Sequence, residues 1–358
     1  MKNLLGQGLR ELPGPLLLTG HTGFKGTWMT FLLEYLNIPV VGYSLPAEKD
    51  SLYDRAERQG AIPEKFADIR DYHALEDFID ENKPSTIIHM AAQPLVLKSY
   101  ENPRETFEVN VMGTVNLLEI AFKKDFVKVI IVVTTDKVYR NDNSGKAFVE
   151  TDALEGKDPY SSSKVGTEAV VTAWQQIAKV SGGPKIASVR AGNIIGGGDF
   201  AENRIIPDFV RSIMNDSTLV IRNPKSTRPW LYILDSLRGY ISVIEYQLSG
   251  DDSEAFNFGP LKASLSVEKV INLANSIWPN KKLKLNLNSN ETNSKEAKML
   301  DLNASLAFRN LGWTPEVNQE DLVNLTILWW KRLVIENHKP ADLCLLEIQH
   351  YLDKLKGD

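Results

Sequence analysis

Leu16-Leu17-Leu18-Thr19-Gly20-His21-Thr22-Gly23-Phe24-Lys25-Gly26 is the stretch that decides the fold. A short apolar run ends in a turn with glycines at 20, 23 and 26, and Gly26 to Leu36 then sets Trp28, Phe31, Leu32 and Tyr35 at helical spacing. Glycines so placed allow a tight turn, a close approach of backbone to a pyrophosphate, and close packing of helix on strand. Exposed N–H groups at the helix start favour an anion. Alone, the spacing also fits a purely structural turn. At the first strand–helix junction of an alternating chain it points to a dinucleotide held by Gly20, Gly23, Phe24 and Gly26.

Outward from this turn, strands and helices alternate. Val40-Val41, Thr86–His89, Val129–Val133 and Lys185–Arg190 read as strands, and Asp68-Ile69-Arg70 closes a further one. Their β-branched content suits strands buried on both faces. Pro103 to Lys123 reads as one long helix, with Phe107, Val111, Val115, Leu118 and Ala121 on a stripe. A second helix begins near Tyr160 and runs to about Val180. The pattern predicts an α/β fold with a doubly wound parallel sheet. After Arg190 it changes: Gly192–Gly198 is glycine-rich, a helix follows at Ile205–Met214, and short strands, prolines and helices then mix. This predicts a dinucleotide-binding domain over 1–191 and a smaller mixed α/β substrate domain over 192–231 and 261–358. The segment 232–260 returns to the first domain as a helix (Ser236–Gln247) and an edge strand (Ala255–Phe258).

Composition narrows the function. A chain of 358 residues, 43% hydrophobic and 24% charged, is ordinary for a globular protein with a large core. Its net charge of −5 offers no electrostatic case for nucleic acid or an anionic membrane. A single cysteine, Cys344, excludes an internal disulfide and a cysteine-based metal cluster, and fits the cytoplasm. The five histidines are scattered and make no metal site. No signal peptide or apolar span of membrane length is visible.

The chemistry-bearing residues lie at the ends of strands four to six. Of eleven tyrosines, only Tyr160 has a lysine, Lys164, four residues later, on the same helix face. Such a lysine lowers the phenol pKa and binds cofactor ribose, leaving a phenolate to accept a proton from a hydroxyl. On spacing alone the pair also fits a solvated helix face; the dinucleotide turn reverses the odds. Thr134-Thr135-Asp136-Lys137 follows strand Val129–Val133, at the sheet end where open α/β folds bind ligands. A polar strand-capping turn would account for Thr134, less readily for three adjacent functional side chains. Asp136-Lys137 beside a Tyr–Lys pair points to proton transfer at a second position, as in loss of water. Small Ala91 and Ala92 admit a cofactor, Asp68 and Ile69 are placed to meet its adenine, though Asp68 also reads as an exposed loop acid, and His89 reads as structural. Gly42-Tyr43-Ser44-Leu45 carries neither the acid expected for NAD nor an arginine for NADP, so it does not choose between them.

The chain resembles the extended short-chain dehydrogenase/reductases that act on nucleotide sugars, with their Rossmann-type sheet, and within them the CDP-glucose 4,6-dehydratases. The resemblance runs from about Leu16 to Pro315 and rests on Gly20–Gly26, His89–Pro94, Thr135–Tyr139, Asp158–Ser161, Arg190–Asp199 and Arg228-Pro229-Trp230. Lys137 separates it from dehydratases of dTDP-sugars, which are expected to carry glutamate there. Phe200, in place of a frequent tryptophan, and Tyr232–Asp235, in place of His-Val-Leu-Glu, depart from the pattern. The resemblance implies NAD as cofactor and a CDP-hexose as substrate. It implies oxidation at C4, loss of water across C5–C6 and hydride return to C6, in deoxysugar biosynthesis of the lipopolysaccharide O-antigen kind. Tyr160 is then the C4 base, Lys164 its tuner, Thr135 the partner of the 4-oxygen, Asp136 the acid for the 6-hydroxyl and Lys137 a proton shuttle at C5. Thr134 sides with the cofactor, Gln93 with the substrate and Asn193 with sugar or nicotinamide. Arg204 and Arg228, among few cations near the glycine-rich start of the second region, side with the diphosphate, or read as surface arginines. A homodimer, or a tetramer built from it, through a bundle of the two long helices is implied; these helices carry apolar residues beyond one stripe, including Val170, Val171 and Trp174. A 4-epimerase, a non-catalytic redox sensor and a simple alcohol dehydrogenase remain as alternatives.

Overall fold

Leu16, Leu18, Ile88, Ile131 and Val133 pack on one side of a sheet, and Leu17, Ile87, Ile130 and Val132 on the other. That alternation is what a strand buried on both faces requires. The computed structural model describes residues 5–221, 223–250, 254–261, 264–278, 283–287 and 299–356. Seven parallel strands form the central sheet, in chain order Leu16–Thr19, Val40–Ser44, Glu64–Phe66, Thr86–His89, Val129–Val133, Lys185–Ala191 and Ala255–Phe258. They lie side by side in the order 3-2-1-4-5-6-7. Leu16 pairs with Val40 on one side and Thr86 on the other, so the order reverses at the first strand. Ligands bind open sheets at the carboxyl ends beside such a reversal.

Helices Phe24–Tyr35 and Ile233–Leu248 cover one face, through Trp28, Phe31, Tyr240 and Ile244. Helices Tyr72–Asn82, Gly113–Phe122 and Pro159–Ser181 cover the other, through Phe78, Leu117, Leu118 and Val171. The less regular C-terminal part holds helices Ile205–Met214, Val267–Ile277, Ser305–Leu311, Gln319–Val334 and Pro340–Lys356. Short parallel pairs tie it together, Ile194-Ile195 with Leu231-Tyr232 and Thr218–Ile221 with Lys284–Leu287. Trp28 Nε1 donates to Gly197 O at 2.9 Å, stitching this part to the first helix.

Three local expectations need correction. The third strand ends at Phe66, so Asp68 and Ile69 lie in the loop beyond it. The helix expected over Pro103–Lys123 is interrupted by a π-turn at Glu108–Met112. Asn110 O there accepts the hydroxyls of Thr114 (2.7 Å) and Thr167 (2.9 Å), side-chain bonds that suit a local departure from the α-helical ladder. Phe107, read on the stripe, and Met112 are exposed. Val171, read as an apolar residue beyond the main stripe, is fully in the core.

Candidate active site

Strand Val129–Val133 delivers Thr134 and Thr135 to its carboxyl end, and a 3₁₀ turn, Asp136–Val138, follows. Thr135 Oγ1 accepts from Lys137 N at 3.4 Å and donates to Asp136 Oδ1 at 3.0 Å. Asp136 is buried, and burial raises its carboxyl pKa; Lys137, Thr135 and Arg228 pull it partly back. Its Oδ2 is buried without a hydrogen-bond partner among the described residues. Native proteins rarely leave such an atom unpaired, so this oxygen is ready for a ligand proton.

A second element brings the phenol. Asp158 and Ser161 form a reciprocal capping box, Ser161 N to Asp158 Oδ1 at 2.9 Å and Asp158 N to Ser161 Oγ at 3.1 Å, with Pro159 in the first turn. This starts helix Pro159–Ser181 immediately before Tyr160. Burial pushes the Tyr160 phenol up to about 12, while a hydrogen bond from Thr135 and the charge of Arg204 act downward. Lys164, one turn on, donates to Val133 O at 3.1 Å, and burial lowers its ammonium to about 8. Tyr160 and Lys164 thus meet the Thr135-Asp136-Lys137 turn in one site.

The glycine turn lies beside them. At Gly20, with φ of +74°, a Cβ would stand 2.8 Å from Ala91 N; at Gly26 it would stand 2.2 Å from Gly20 O. Gly23 meets nothing nearer than 3.4 Å, and helix Phe24–Tyr35 has no side-chain cap. Lys25 is in this first turn, with its ammonium 5.8 Å from the Tyr240 ring centroid. Burial lowers it to about 7, and the charges of Lys164 and Arg204 add to that. No carboxylate among the described residues pairs with it. A tight turn, open helix N–H groups and an uncompensated cation fit a pyrophosphate. Ala91 and Ala92, half-buried, form the wall facing Gly20. Asp68 spends its carboxylate on Arg70, while Ile69 is buried against Gly113.

The remaining predicted residues are placed as follows. Gln93 is buried and braces its own loop: its amide donates to Leu95 O and Thr106 Oγ1 and accepts from Leu95 N. Thr134 donates to Glu168 Oε1 at 2.5 Å, so its hydroxyl turns to the helix rather than outward. Asn193 O accepts from Leu231 N at 3.0 Å. Arg204 lies 3.4 Å from Asp199, and its charge reaches Tyr160 and Lys25. Arg228 is buried, and its charge reaches Asp136. His89 is bonded at both ring nitrogens, to Thr19 at 2.7 Å and Thr114 at 3.1 Å, and burial holds it neutral, down to about 3.

Three supporting residues escaped the sequence reading. Ser99 Oγ accepts from Tyr160 N at 3.1 Å. Asn110, in the π-turn, accepts from Gln93 N and donates to Gln93 O and Ser163 Oγ. Glu168 binds Thr134, Ser188 and Arg190. Only Glu168 had a readable signal, lying eight residues beyond Tyr160 on the same helical face.

Residues 17–326 match the GDP-mannose 4,6 dehydratase family. The chain belongs to that family. Among its relatives, the CDP-glucose 4,6-dehydratase of Salmonella typhimurium is 38% identical over 325 residues, covering 88% of this chain and 90% of that protein. The dTDP-glucose 4,6-dehydratase 1 of Escherichia coli is 25% identical, covering 88% and 92%. The structure of the Streptomyces venezuelae dTDP-glucose 4,6-dehydratase DesIV, with NAD and TYD bound, superposes with a TM-score of 0.76 at 23% identity, covering 91% of this chain and 99% of that one. A Thermus thermophilus UDP-glucose 4-epimerase complexed with NAD gives 0.75 at 22%, covering 89% and 100%. The last two establish the fold: a dehydratase and an epimerase share the Rossmann-type scaffold of this chain.

Proposed function

We propose that this 4,6-dehydratase family member converts CDP-glucose to CDP-4-keto-6-deoxyglucose with NAD as cofactor. The observation that carries the reading is the buried Asp136, with a raised pKa and an orphaned oxygen, beside the Thr135-linked Tyr160. A hydride-transfer site alone needs a phenol and a lysine; a buried acid beside them suits a leaving hydroxyl. The CDP nucleotide rests on the 38% identity to the Salmonella typhimurium enzyme and on Lys137.

When bound at the glycine cradle, NAD supplies reversible hydride exchange with the sugar. Tyr160, charged by loss of its proton, accepts the proton of the sugar 4-hydroxyl. Lys164 holds a positive charge beneath it and favours that phenolate. Thr135 bonds the 4-oxygen, keeping it beside Tyr160. The resulting 4-ketone acidifies C5–H; Lys137, as a free amine, takes that proton and gives it back to C5 when the hydride from C4 returns to C6. Asp136, protonated more readily because it is buried, gives a proton to the departing 6-hydroxyl, so water rather than hydroxide leaves. Arg204 and Arg228 balance the diphosphate, Lys25 balances the cofactor phosphate, and Asn193 borders the sugar. Ile69 and Asp68 border the adenine end.

Exposed Leu97, Tyr100, Phe107 and Met112 on neighbouring helices support a homodimer through these helices and Pro159–Ser181. Among the described residues no helix is long and apolar enough to cross a membrane. The buried, unpaired Cys344 thiol suits a cytoplasmic enzyme supplying deoxysugars. Incubation with CDP-glucose, followed by mass detection, tests the reading. Loss of one water without net NADH supports it; an epimer of unchanged mass as the only product overturns it.

A further inference from the structure

We infer that the buried Glu168–Arg190 ion pair is a positioning device that holds the Thr135-Asp136-Lys137 turn in register with Tyr160 and Lys164. The inference rests on the division of labour proposed above, with oxidation at Tyr160 and water loss at Asp136.

The pair clamps the turn from both sides. Before it, Thr134 Oγ1 donates to Glu168 Oε1 at 2.5 Å. After it, Arg190 Nη1 donates to Tyr139 OH at 2.9 Å. Between these two fastenings stand Thr135, Asp136, Lys137 and Val138. Arg190 meets Glu168 with two bonds, Nε to Oε1 at 2.8 Å and Nη2 to Oε2 at 2.7 Å. Such bidentate pairs fix angle as well as distance. Glu168 sits on the helix that carries Tyr160 and Lys164, so the clamp ties the acid-bearing turn to the base-bearing helix directly. Lys164 adds a third tie one residue upstream, at Val133 O.

The network is closed. Glu168 also accepts from Ser188 Oγ at 2.8 Å, and Arg190 also reaches Glu150 O at 2.9 Å. Tyr139 OH donates to Asn257 Oδ1 at 2.7 Å, and Asn257 Nδ2 donates to Phe148 O at 2.9 Å. A fully satisfied polar network rigidifies its surroundings. A buried ion pair contributes little net stability against an apolar replacement of the same shape, so stability alone is a poor account of this one. What two rigid fastenings around four residues do supply is placement. A displacement of about 1 Å at such a turn lowers rates by roughly a hundredfold.

Two variants and one control test it. Tyr139→Phe keeps the ring stacked on Phe148, whose centroid is 5.0 Å away, and leaves the ion pair intact. It releases only the downstream fastening. Glu168→Gln keeps one acceptor oxygen but loses the bidentate ion pair with Arg190, which loosens the upstream one, and removes the carboxylate that raises Lys164. In single turnover with CDP-glucose, Tyr139→Phe is expected to slow water loss by roughly tenfold to a hundredfold. The first oxidation changes far less, so reduced cofactor builds up. Glu168→Gln, if it folds, does the same and moves the Lys164 titration to lower pH, seen by 13C NMR of the free protein; Tyr139→Phe leaves that titration in place. Equal slowing of both steps in Tyr139→Phe, or no slowing of either, overturns the clamp, whether or not Glu168→Gln folds. Asp136→Asn is the control. If it accumulates reduced cofactor and Tyr139→Phe does not, the clamp alone is wrong. If Asp136→Asn does not, the division of labour fails and the clamp falls with it.

Discussion

Tyr160 and Asp136 are both buried and both raised in pKa, and the same cause serves two opposite purposes. Burial keeps the Asp136 carboxyl protonated further up the pH scale, which suits an acid. It also resists the phenolate, which a hydrogen bond with Thr135 and the charge of Arg204 favour. Tyr160→Phe should therefore retain its fold and lose turnover by a factor of roughly 10² to 10⁴; unchanged turnover would remove it from the role. Asp136→Asn should separate the two half-reactions, with reduced cofactor accumulating in single turnover and little water lost. Lys164 adds a pH dependence with a definite sign. Its ammonium is lowered to about 8, so its charge is present below that pH and lost above it. The rate of sugar oxidation should fall as pH rises through about 8, and Lys164→Met should abolish that limb along with most activity. The Tyr–Lys spacing was legible in the sequence because both residues share one helix. Thr134 and Gln93 entered as ligand contacts through the resemblance; in the structure their side chains bond Glu168, and Leu95 and Thr106, partners that no local spacing announces.

At the scale of elements, the glycine turn was readable because its constraint is local. Two of the three glycines are demanded by backbone contacts: a Cβ at Gly20 would lie 2.8 Å from Ala91 N, and one at Gly26 2.2 Å from Gly20 O. Gly26→Ala should push the turn open, at about 1–3 kcal/mol for overpacking. Cofactor titration followed by tryptophan fluorescence should show weakened binding, and unaltered affinity would mean that the cradle is not the phosphate site. The π-turn was not readable. Pro103–Lys123 has a sound helical pattern, and the departure accompanies hydroxyls of Thr114 and Thr167 meeting Asn110 O, the second from a distant helix. The place of Glu168 on the Tyr160 face was readable, but its partnership with Arg190 was hidden for the same reason: it spans a helix and a strand, and no local spacing announces it.

The whole molecule places the C-terminal helix Pro340–Lys356 back against the dinucleotide helix Phe24–Tyr35. Glu347, buried there against the Tyr232 hydroxyl, is raised by burial from 4.5 to about 7. A carboxyl raised in the folded state lends stability that is whole below about 4.5 and lost as pH rises through about 7. Thermal stability should decline across that window by up to about 1.4 kcal/mol per pH unit from this group, and Glu347→Gln should flatten the decline. A slope unchanged in the variant would assign the dependence elsewhere. Alternation along the chain made the parallel sheet legible at this scale, whereas the assembly depends on surfaces such as Phe107 and Met112, which are exposed although Phe107 fits the helical stripe. Sedimentation of the protein at micromolar concentration should show a dimer or a multiple of it, and a monomer alone would contradict the helix-bundle assembly. The central claim, dehydration of a CDP-hexose, is tested most directly by incubating the purified protein with CDP-glucose and NAD and weighing the product. The account predicts a nucleotide sugar lighter by one water, formed with no net NADH. A product of unchanged mass, or NADH formed in step with product, would contradict it.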